Sequence, residues 1–491
     1  MKLAILLDGL AGYTVNGDIN IDISNIAYDS RKVRQGSLFV CIDGFVSDGH
    51  HYINQAIEAG AAAIMIQNGE YPVGVVSVRV PDSRIGLAHV SAAFFDWPAR
   101  KMSLVGITGT KGKTTAAFMT DAIFEAEGID SALIGTIYNK IGGDIVYASR
   151  TTPESFELQA LLDDCVSRGI TSCVMEVSSQ GLALHRVYGC RFETGVYTNL
   201  YNDHIGPAEH ASMEEYMNAK AMLFDMVDNA VINIDADYSE NMMNRAKTNT
   251  GTKIWTLGIT KDAMVHATDI VNVSTKDKIG TSFLLESPWY NGKVFVAMPG
   301  LFNVYNALCA IACAGIRGAR FDSVIKGLAS VTVKGRVQPV KTGKDFQVIV
   351  DYAHNAASLE NLLTTMREYV SGRLVCVFGC GGDRAKSRRF EMGETSGRLA
   401  DFTIITSDNP RTEAPEAILA DIETGIQKMS CNYIKIIDRT EAIRMAIHQA
   451  RSGDIIIIAG KGHETYQIFA EKTIHYDDFE VATDILKETV V

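Results

Sequence analysis

The chain has 491 residues, of which 47% are hydrophobic and 21% are charged, and its formal net charge is −12 at pH 7. This length exceeds what one hydrophobic core usually supports, so we expect roughly two to four domains. Acidic and basic residues are interspersed, which argues against a nucleic acid or an anionic membrane surface as the main partner. No apolar run approaches membrane-spanning length, and Asp8 interrupts the first apolar run too early for a signal peptide.

Nine cysteines are scattered along the chain, and no two form a C-x-x-C motif. The closest pairs, Cys309 with Cys313 and Cys376 with Cys380, lack nearby histidines at the spacing of a zinc site. We therefore expect reduced thiols buried in the core of a cytoplasmic protein.

Residues 1–98 are predicted to form a small α/β domain. Strand patterns at residues 36–42 and 61–66 flank a helical pattern at residues 52–59. The segment Trp97-Pro98-Ala99-Arg100 then precedes a new strand, and a proline after an aromatic residue is a reasonable boundary.

A glycine-rich turn follows the apolar run at residues 104–107 and opens a helical pattern. The residues of this turn, which we call the phosphate loop, are Gly109, Thr110, Lys111, Gly112, Lys113, Thr114 and Thr115. Glycines let backbone N–H groups point at phosphate oxygens, Lys113 can neutralise the β- and γ-phosphates, and a threonine hydroxyl can bind Mg²⁺. The two glycines lie closer together than in the common phosphate loop. The pattern predicts a nucleotide phosphate site, and the alternative is an ordinary strand-to-helix turn.

Apolar strands alternate with helical patterns between residues 99 and 333, the strands lying at residues 172–177, 194–198 and 230–234. Such alternation predicts a mostly parallel sheet covered on both faces. Glu176 ends one strand and His204 follows another; a carboxylate and an imidazole beside a triphosphate suit Mg²⁺, although histidine is a less usual ligand for this ion. Taken alone, each is more often an ordinary hydrogen-bonding residue, and Lys220, within a helical pattern, is by default solvated.

Residues 334–491 contain four further apolar strand patterns, at residues 347–351, 373–379, 402–406 and 454–460. In an open parallel sheet, ligands bind beyond the carboxyl ends of the strands. The polar residues that follow these strands are Asp351, Asp383 with Arg384, Asp408 to Arg411, and Lys461 to Glu464. We therefore expect a second ligand site at this edge.

The turn Asp408-Asn409-Pro410-Arg411 combines a carboxylate, an amide and a guanidinium. That combination suits a zwitterionic ligand, because an arginine can fork onto a carboxylate while acceptors face an ammonium group. The alternative is a helix N-cap before residues 413–422, which local evidence alone favours.

Taken in order, these motifs resemble those of the Mur ligases, and in particular the UDP-N-acetylmuramoyl-tripeptide synthetases that add meso-diaminopimelate. Nearly the whole chain takes part in the resemblance. Besides the phosphate loop and the Asp408 turn, the motifs that carry it are Tyr28-Asp29-Ser30-Arg31, Thr151-Thr152-Pro153-Glu154-Ser155, Glu176-Val177-Ser178-Ser179, His185-Arg186-Val187, Ala219-Lys220, Asn303 with Asn306, Asp351-Tyr352-Ala353-His354-Asn355, Gly381-Gly382-Asp383-Arg384 and Gly460-Lys461-Gly462-His463-Glu464.

The resemblance implies an α/β protein of three domains. Residues 1–98 would bind the UDP end of the substrate, residues 99–333 would form a central ATPase domain with a mostly parallel sheet, and residues 334–491 would form a Rossmann-like domain for the incoming amino acid. The implied cofactor is Mg²⁺. The implied partners are ATP, a UDP-N-acetylmuramoyl dipeptide and a diamino acid, and we expect a monomer.

The resemblance also implies ATP-dependent amide formation. The D-glutamate carboxylate of UDP-N-acetylmuramoyl-L-alanyl-D-glutamate would attack the γ-phosphate of ATP, and the amino group of a diamino acid would then attack the acyl phosphate. A carboxylate is a poor electrophile and phosphoryl transfer develops charge, so the protein must supply positioning and cations.

Site residues follow from the resemblance position by position. It implies that the UDP substrate is bound by Ser30, Phe45, Val46, Ser47, Thr151, Thr152, Ser178 and Arg186. It implies that ATP is bound by the phosphate loop together with Asn303, Asn306, Arg336 and Asp351. The implied catalytic residues are Lys113, Glu176, His204 and Lys220, and the implied Mg²⁺ ligands are Thr114, Glu176, His204 and Lys220, the last as a carbamate (N6-carboxylysine). The implied diamino-acid contacts are Arg384, Asp408, Asn409, Pro410, Arg411, Gly460 and Glu464.

Departures from the family pattern leave the added amino acid open. After Asp203-His204 the chain continues Ile205-Gly206-Pro207-Ala208-Glu209-His210 in place of the commoner Leu-Asp-Phe-His-Gly, and Leu184 stands where many members have glutamine. With the Thr-Lys-Gly-Lys of the phosphate loop, these features resemble a subgroup that often adds L-lysine. The Asp408 turn resembles members that add meso-diaminopimelate, and we give it more weight because it would touch the amino acid.

Three alternatives remain. They are the same ligase with L-lysine or another diamino acid, a relative of the folylpolyglutamate or cyanophycin synthetases, and a nucleotide-dependent binding switch without ligase activity.

Overall fold

The computed structural model describes residues 1–44, 47–202, 205–206, 209–275, 278–429 and 431–488. The chain is mixed α/β and divides into two compact units. The first unit comprises residues 1–265 and 308–323, and the second comprises residues 266–307 and 324–491. The predicted α/β class is confirmed.

The first unit begins with a five-stranded sheet in the order β1-β5-β4-β3-β2. Its elements are α1 (Leu3–Leu6), β1 (Thr14–Asn16), β2 (Asn25–Ala27), β3 (Ser37–Val40), α2 (Ile53–Glu58), β4 (Ala61–Ile66), β5 (Val76–Arg79) and α3 (Ser83–Phe94). Strands β2 to β5 are parallel and β1 is antiparallel to β5. The Asp82 carboxylate caps α3 by accepting hydrogen bonds from the Arg84 and Ile85 backbone N–H groups.

A second sheet of the same unit contains strands in the order β13-β12-β11-β6-β10-β7-β8-β9. Its elements are β6 (Ser103–Thr108), α4 (Lys113–Glu127), β7 (Ser131–Ile134), β8 (Tyr138–Ile141), β9 (Asp144–Tyr147), α5 (Ser155–Ser167), β10 (Ser172–Glu176), α6 (Ser179–Ala183), β11 (Phe192–Tyr197), α7 (Met213–Ala221), β12 (Val227–Asn233), α8 (Ser239–Thr248) and β13 (Lys253–Gly258). From β13 to β7 all pairs are parallel. The continuous apolar runs predicted these buried parallel strands.

An antiparallel hairpin, β8 with β9, extends that sheet and was not predicted. Gly142 and Gly143 form its two-residue turn, and Gly142 has a φ of 59°. A Gly-Gly pair between two short strands is a hairpin signal, so the sequence did contain the information.

The elements that follow in sequence are β14 (Val265–Ser274), β15 (Ile279–Glu286), β16 (Asn291–Val296), α9 (Leu301–Arg317) and α10 (Phe321–Ser330). Strands β14, β15 and β16 pair antiparallel. The strands before β14 are mostly parallel, as predicted, whereas the antiparallel strands β14 to β16 were not predicted.

The second unit also contains a six-stranded sheet in the order β17-β18-β22-β19-β20-β21. Its elements and those beside it are β17 (Gln338–Val340), β18 (Gln347–Asp351), α11 (Ala356–Arg367), β19 (Leu374–Phe378), α12 (Ser387–Leu399), β20 (Phe402–Ile405), α13 (Pro415–Ile426), β21 (Asn432–Lys435), α14 (Arg439–His448), β22 (Ile455–Ala459), β23 (Tyr466–Ile468), β24 (Thr473–His475) and α15 (Asp478–Glu488). All neighbours from β18 to β21 are parallel, so their carboxyl ends lie at one edge. The four predicted strands of this region are confirmed.

All nine cysteines are free thiols, and eight of them are buried, as predicted. Within the described ranges, no helix is both long and apolar enough to cross a membrane.

Candidate functional site

The phosphate loop connects the buried strand β6 to the 15-residue helix α4. Gly109 has a φ of 150° and Gly112 a φ of 86°, values that favour glycine. A Cβ atom at Gly109 would lie 1.9 Å from Thr198 Oγ1, so this position also has no room for a side chain. The N-terminus of α4 follows directly, and its unpaired N–H groups and dipole attract anions. The predicted strand, glycine turn and helix are all present.

Two lysines converge on one carbonyl of the loop. Lys113 Nζ and Lys220 Nζ each donate a hydrogen bond of 2.8 Å to the Gly109 carbonyl, and Lys113 Nζ also lies 3.1 Å from the Thr110 carbonyl. Lys220 is 1% exposed and its ammonium lies 4.4 Å from the centre of the Tyr216 ring. The default interpretation of Lys220 as a solvated helix lysine is therefore wrong, and both lysine side chains lie against the phosphate loop.

Glu176 ends β10 with its carboxylate buried beside the phosphate loop. Thr114 Oγ1 donates a 2.9 Å hydrogen bond to it, and Thr136 donates two more, from its backbone N–H at 2.7 Å and from its hydroxyl at 3.1 Å. Sequence reasoning missed Thr136, because it lies in the turn before the unpredicted hairpin.

Four residues assigned to the UDP substrate form a connected group of hydrogen bonds beside Glu176. Thr151 Oγ1 is 3.0 Å from Thr136 Oγ1, and Thr152 Oγ1 donates to the Glu176 carbonyl at 2.9 Å. The Ser178 backbone N–H donates to Thr152 Oγ1 at 2.9 Å, and Arg186 Nη1 donates to the Thr152 carbonyl at 3.2 Å. Burial lowers the pKa of the Arg186 guanidinium, although its ion pair with Glu154 acts in the opposite direction.

The segment after β11 fixes the phosphate loop from the side. Thr198 Oγ1 donates to the Lys111 carbonyl at 2.8 Å, and Asn199 Oδ1 accepts from the Lys111 backbone N–H at 2.9 Å. Tyr216 OH lies 3.0 Å from Thr110 Oγ1. None of these three partners was predicted as a site residue, because each contacts the loop across more than 85 positions of sequence.

The other residues assigned to the UDP substrate belong to the N-terminal sheet region. Ser30 Oγ donates to Gln55 Oε1 at 3.0 Å, and Ser47 Oγ donates to Tyr52 OH at 3.0 Å. Phe45, Val46 and the proposed metal ligand His204 lie outside the described residues. Within the described ranges, no group of three or more histidine, cysteine, aspartate or glutamate side chains is arranged to hold a metal ion.

In the second unit, the Asp408 turn lies at the carboxyl edge of the six-stranded sheet. Asn409 is 3% exposed; its Nδ2 donates to Glu464 Oε2 at 2.9 Å, and its Oδ1 accepts from Lys461 Nζ at 3.0 Å. Arg411 has a φ of 53° and its Nη1 donates to the Gly382 carbonyl at 2.7 Å. Helix α13 begins only at Pro415, and Ala414 is its N-cap, so the helix-cap interpretation of Asp408 is wrong.

The turn that follows β22 lies against the Asp408 turn. A Cβ atom at Gly460 would be 2.8 Å from Asp408 Oδ2, which explains a glycine there. Lys461 is fully buried and pairs with Glu464 at 3.3 Å. Lys461 was among the polar residues expected at this edge of the sheet, but it was assigned no contact with the amino acid.

Arg384 is exposed, but it is near the same place. A Cβ atom at Gly381 would lie 2.8 Å from Arg411 Nη1 and 3.9 Å from Arg384 Cγ. The six other residues assigned to the diamino acid, from Asp408 to Arg411 with Gly460 and Glu464, are thus assembled at one edge of the sheet.

The remaining residues assigned to ATP lie in two places of the second unit. Asn303 Nδ2 donates to the Pro299 carbonyl and Asn306 Nδ2 to Asn303 Oδ1, at 2.8 and 3.0 Å. Arg336 stacks over the Tyr352 ring at 4.7 Å. Asp351 accepts backbone hydrogen bonds of 2.8 Å from Val337 and Ala353, yet burial raises the pKa of its carboxyl.

Three family models match the chain. The model described as Mur ligase family, catalytic domain, matches residues 22–94; the Mur ligase middle domain matches residues 107–314; and the model described as Mur ligase, glutamate ligase domain, matches residues 335–462.

Curated relatives match over the full length. The UDP-N-acetylmuramoyl-L-alanyl-D-glutamate--2,6-diaminopimelate ligase of Caldanaerobacter subterraneus subsp. tengcongensis is 46% identical over 492 residues, with 100% of both chains covered. The protein of the same name from Alkaliphilus metalliredigens is 44% identical and covers 99% of this chain and 98% of its own. A solved structure of a protein with that name has a TM-score of 0.76 at 29% identity and covers 100% of this chain and 99% of its own.

Proposed function

Because the chain belongs to the Mur ligase family, we propose that it is the ATP-dependent ligase that adds meso-2,6-diaminopimelate to UDP-N-acetylmuramoyl-L-alanyl-D-glutamate. Relatives that carry that name align with nearly all of the chain. The observation that carries the ligase chemistry is the convergence of Lys113, Lys220 and Glu176 on the phosphate loop. The Asp408 turn carries the choice of amino acid.

The reaction has two group-transfer steps. The D-glutamate carboxylate attacks the γ-phosphorus of ATP, and ADP leaves, giving an acyl phosphate. The amino group of the second substrate then attacks the acyl carbon, phosphate leaves and the nitrogen loses a proton. The N–H groups of the loop and the ammonium of Lys113 stabilise the charge that develops on the phosphoryl oxygens.

The oxygen donors beside the loop fit Mg²⁺. The Thr114 hydroxyl and the Glu176 carboxylate are buried and 2.9 Å apart, and this hard cation prefers oxygen ligands. Bound there with His204, the ion would neutralise phosphate charge. We assign the fourth ligand to Lys220 as a carbamate, which would replace an ammonium by an anionic oxygen ligand.

The carbamate has a direct test. Lys220→Ala should be nearly inactive and should regain part of its activity with added short-chain carboxylic acids, whose oxygens imitate the carbamate. Full activity of the alanine variant would contradict the assignment.

Arg411 is the residue that we expect to select meso-diaminopimelate. This substrate differs from L-lysine by a carboxylate at the far end of its side chain, and a guanidinium fork matches that group. The same guanidinium would be repelled by the side-chain ammonium of L-lysine. Arg411 would therefore disfavour L-lysine as well as favour meso-diaminopimelate. Loss of such a charged hydrogen bond typically costs about 2–5 kcal/mol, or roughly 30-fold to several thousand-fold in selectivity.

The test is ligation against a panel of diamino acids. Wild type should prefer meso-diaminopimelate over L-lysine in kcat/KM, and Arg411→Ala should lose most of this preference without a comparable loss of ATP affinity. Arg398→Ala, which removes an exposed ion pair with Glu360 on the same unit, is the matched control and should change neither. Equal use of both amino acids by wild type would overturn the substrate assignment.

The same assay separates a ligase from a nucleotide-dependent binding switch. A ligase should release phosphate only when the UDP-muramoyl dipeptide and the amino acid are both present, and it should form the amide product in equal amount.

A further inference from the structure

Arg439 and Asp478 form an ion pair whose side chains are both fully buried. They are the first residues of α14 and α15 in the second unit. Nε and Nη2 of Arg439 donate to the two oxygens of Asp478, each at 2.7 Å, so the pair is a bidentate fork. Neither residue belongs to a motif of the sequence or to any of the assigned sites.

The remaining donors of the guanidinium reach two strand ends. Nη1 donates to the Ser407 carbonyl at 3.2 Å, and Nη2 donates to the Ala459 carbonyl at 2.9 Å. Ser407 follows β20 and Ala459 ends β22, and these strands are not neighbours because β19 lies between them. Arg439 therefore connects two strand ends that no ladder hydrogen bond joins.

The next residue after each of these carbonyls belongs to the assigned amino-acid site. Asp408 follows Ser407, and Gly460 follows Ala459. The two turns fit closely, since Lys461 Nζ donates to Asn409 Oδ1 at 3.0 Å and a Cβ atom at Gly460 would already lie 2.8 Å from Asp408 Oδ2. A small shift of either strand end would change the spacing between the turns.

We propose that Arg439 is a positioning residue that sets the spacing of the Asp408 and Gly460 turns, and so tunes affinity for the diamino acid. This inference rests on the proposed function of those turns. A buried ion pair is weak evidence for a role in stability, because desolvation offsets most of the attraction. The two backbone contacts give this pair a geometric role that a well-packed apolar pair would lack.

The charge of Arg439 persists in this environment. Burial lowers the pKa of its guanidinium, but the Asp478 carboxylate outweighs that effect and the net pKa is raised. The guanidinium of Arg439 therefore stays charged throughout the pH range of an assay.

The same sheet offers a matched control at its opposite edge. Arg373 precedes β19 and Asp454 precedes β22; Arg373 Nη2 contacts Asp454 Oδ2 at 2.6 Å, and Arg373 Nη2 also donates to the Gln449 carbonyl at 2.8 Å. This arginine likewise joins a buried aspartate and a backbone carbonyl, but at the amino ends of the strands.

The experiment compares Arg439→Lys with Arg373→Lys. Lysine keeps the charge but cannot reach the carboxylate and both carbonyls at once. For Arg439→Lys, the KM for the diamino acid should rise about 10- to 100-fold, because misplacing a binding group by about 1 Å can cost an effect of that size. The KM for ATP should stay within about twofold of the wild-type value. Arg373→Lys should leave the KM for the amino acid unchanged, even if it lowers the melting temperature as much as Arg439→Lys does.

A second variant keeps the proposal testable if Arg439→Lys does not fold. Arg439→Met with Asp478→Leu replaces the pair by apolar residues, a change that buried pairs often tolerate. It should fold and still show the raised KM for the amino acid. An unchanged KM in either folded variant, or an equal rise in Arg373→Lys, would overturn the positioning role. Failure of wild type to ligate any diamino acid would instead refute the proposed function.

Discussion

His463 is a buried histidine whose surroundings favour the neutral form of its ring. Its ring lies 4.7 Å from the Tyr352 ring, which also contacts the His354 ring at 4.5 Å and carries Arg336 on its face. Within the described ranges, His463 Nδ1 is buried without a hydrogen-bond partner. Burial lowers the pKa of His463 to about 4, and the positive charges of Arg336 and Lys334 and the His354 ring add to the effect.

This low pKa predicts a dependence of stability on pH. A histidine in an unfolded chain has a pKa of about 6.5. Between pH 6.5 and 4 the unfolded chain therefore binds a proton that the folded chain excludes, so stability falls as the pH falls. His463 thereby lowers the free energy of unfolding by at most about 3 kcal/mol at acidic pH. Above pH 6.5 it causes no such loss.

The measurement is the free energy of urea unfolding from pH 7 to pH 4.5. His463→Asn, which cannot titrate there, should show a weaker loss than wild type. The exposed His448, changed to Asn, is the control and should follow wild type. Parallel curves for wild type and His463→Asn would contradict the low pKa.

At the residue scale, sequence predicts what is local. Lys113 could be predicted because it stands within its own motif, whereas the burial of Lys220 against Gly109 spans 111 positions of sequence. Its local pattern indicated a solvated helix residue, and only the family resemblance pointed to the site. Arg439 carries no local signal at all, because its partners follow from how two strand ends and two helices meet.

The turn from β6 into α4 requires a backbone conformation that favours glycine. Gly109 combines a φ of 150° with the contact to Thr198, and its carbonyl accepts from Lys113 and Lys220. Gly128 ends the same helix with a φ of 84°, but a Cβ atom there would meet nothing within 4 Å. A side chain at position 128 would strain only the backbone, whereas a side chain at position 109 would also clash with Thr198.

We expect that replacing Gly128 by alanine changes only stability, whereas replacing Gly109 by alanine lowers activity. Gly128→Ala should lower the free energy of unfolding by about 1 kcal/mol through its left-handed backbone and leave ATP binding intact. Gly109→Ala should lower kcat/KM for ATP by about 100-fold or more, because the loop must move to admit the methyl group. Binding of a fluorescent ATP analogue and urea unfolding measure the two effects. Normal ATP binding by a folded Gly109→Ala would show that the loop geometry is not required.

At the element scale, continuous apolar runs predicted the buried parallel strands, because both faces of such strands are covered. The hairpin of β8 and β9 was missed since its strands have only four residues each, and β9 is exposed along its whole length although it contains Ile145, Val146 and Tyr147. The helix-cap interpretation of Asp408 was wrong for a different reason. Asn409 bonds to Lys461 and Glu464, more than 50 positions away, and this tertiary network takes precedence over a local capping preference.

For the whole molecule, the thiols report whether both units are folded. Cys41, Cys165, Cys173, Cys190, Cys309 and Cys313 are buried in the first unit, and Cys376 and Cys380 are buried in the second. Burial raises the pKa of Cys41, Cys165, Cys190, Cys309, Cys376 and Cys380 to about 12. A thiol reacts as its thiolate, so these groups are inert on two counts, access and ionisation.

Only Cys431, which is partly exposed, should react with an aromatic disulfide reagent in the native protein at pH 8. Burial raises its pKa as well, so it should react more slowly than free cysteine. Wild type should thus show one reactive thiol when native and nine in denaturant, and Cys431→Ser should show none and eight. Because buried thiols lie in both units, a titration during urea unfolding also reports whether the units lose protection together. Two or more rapidly reacting thiols in the native protein would mean that at least one of the apolar cores opens under native conditions.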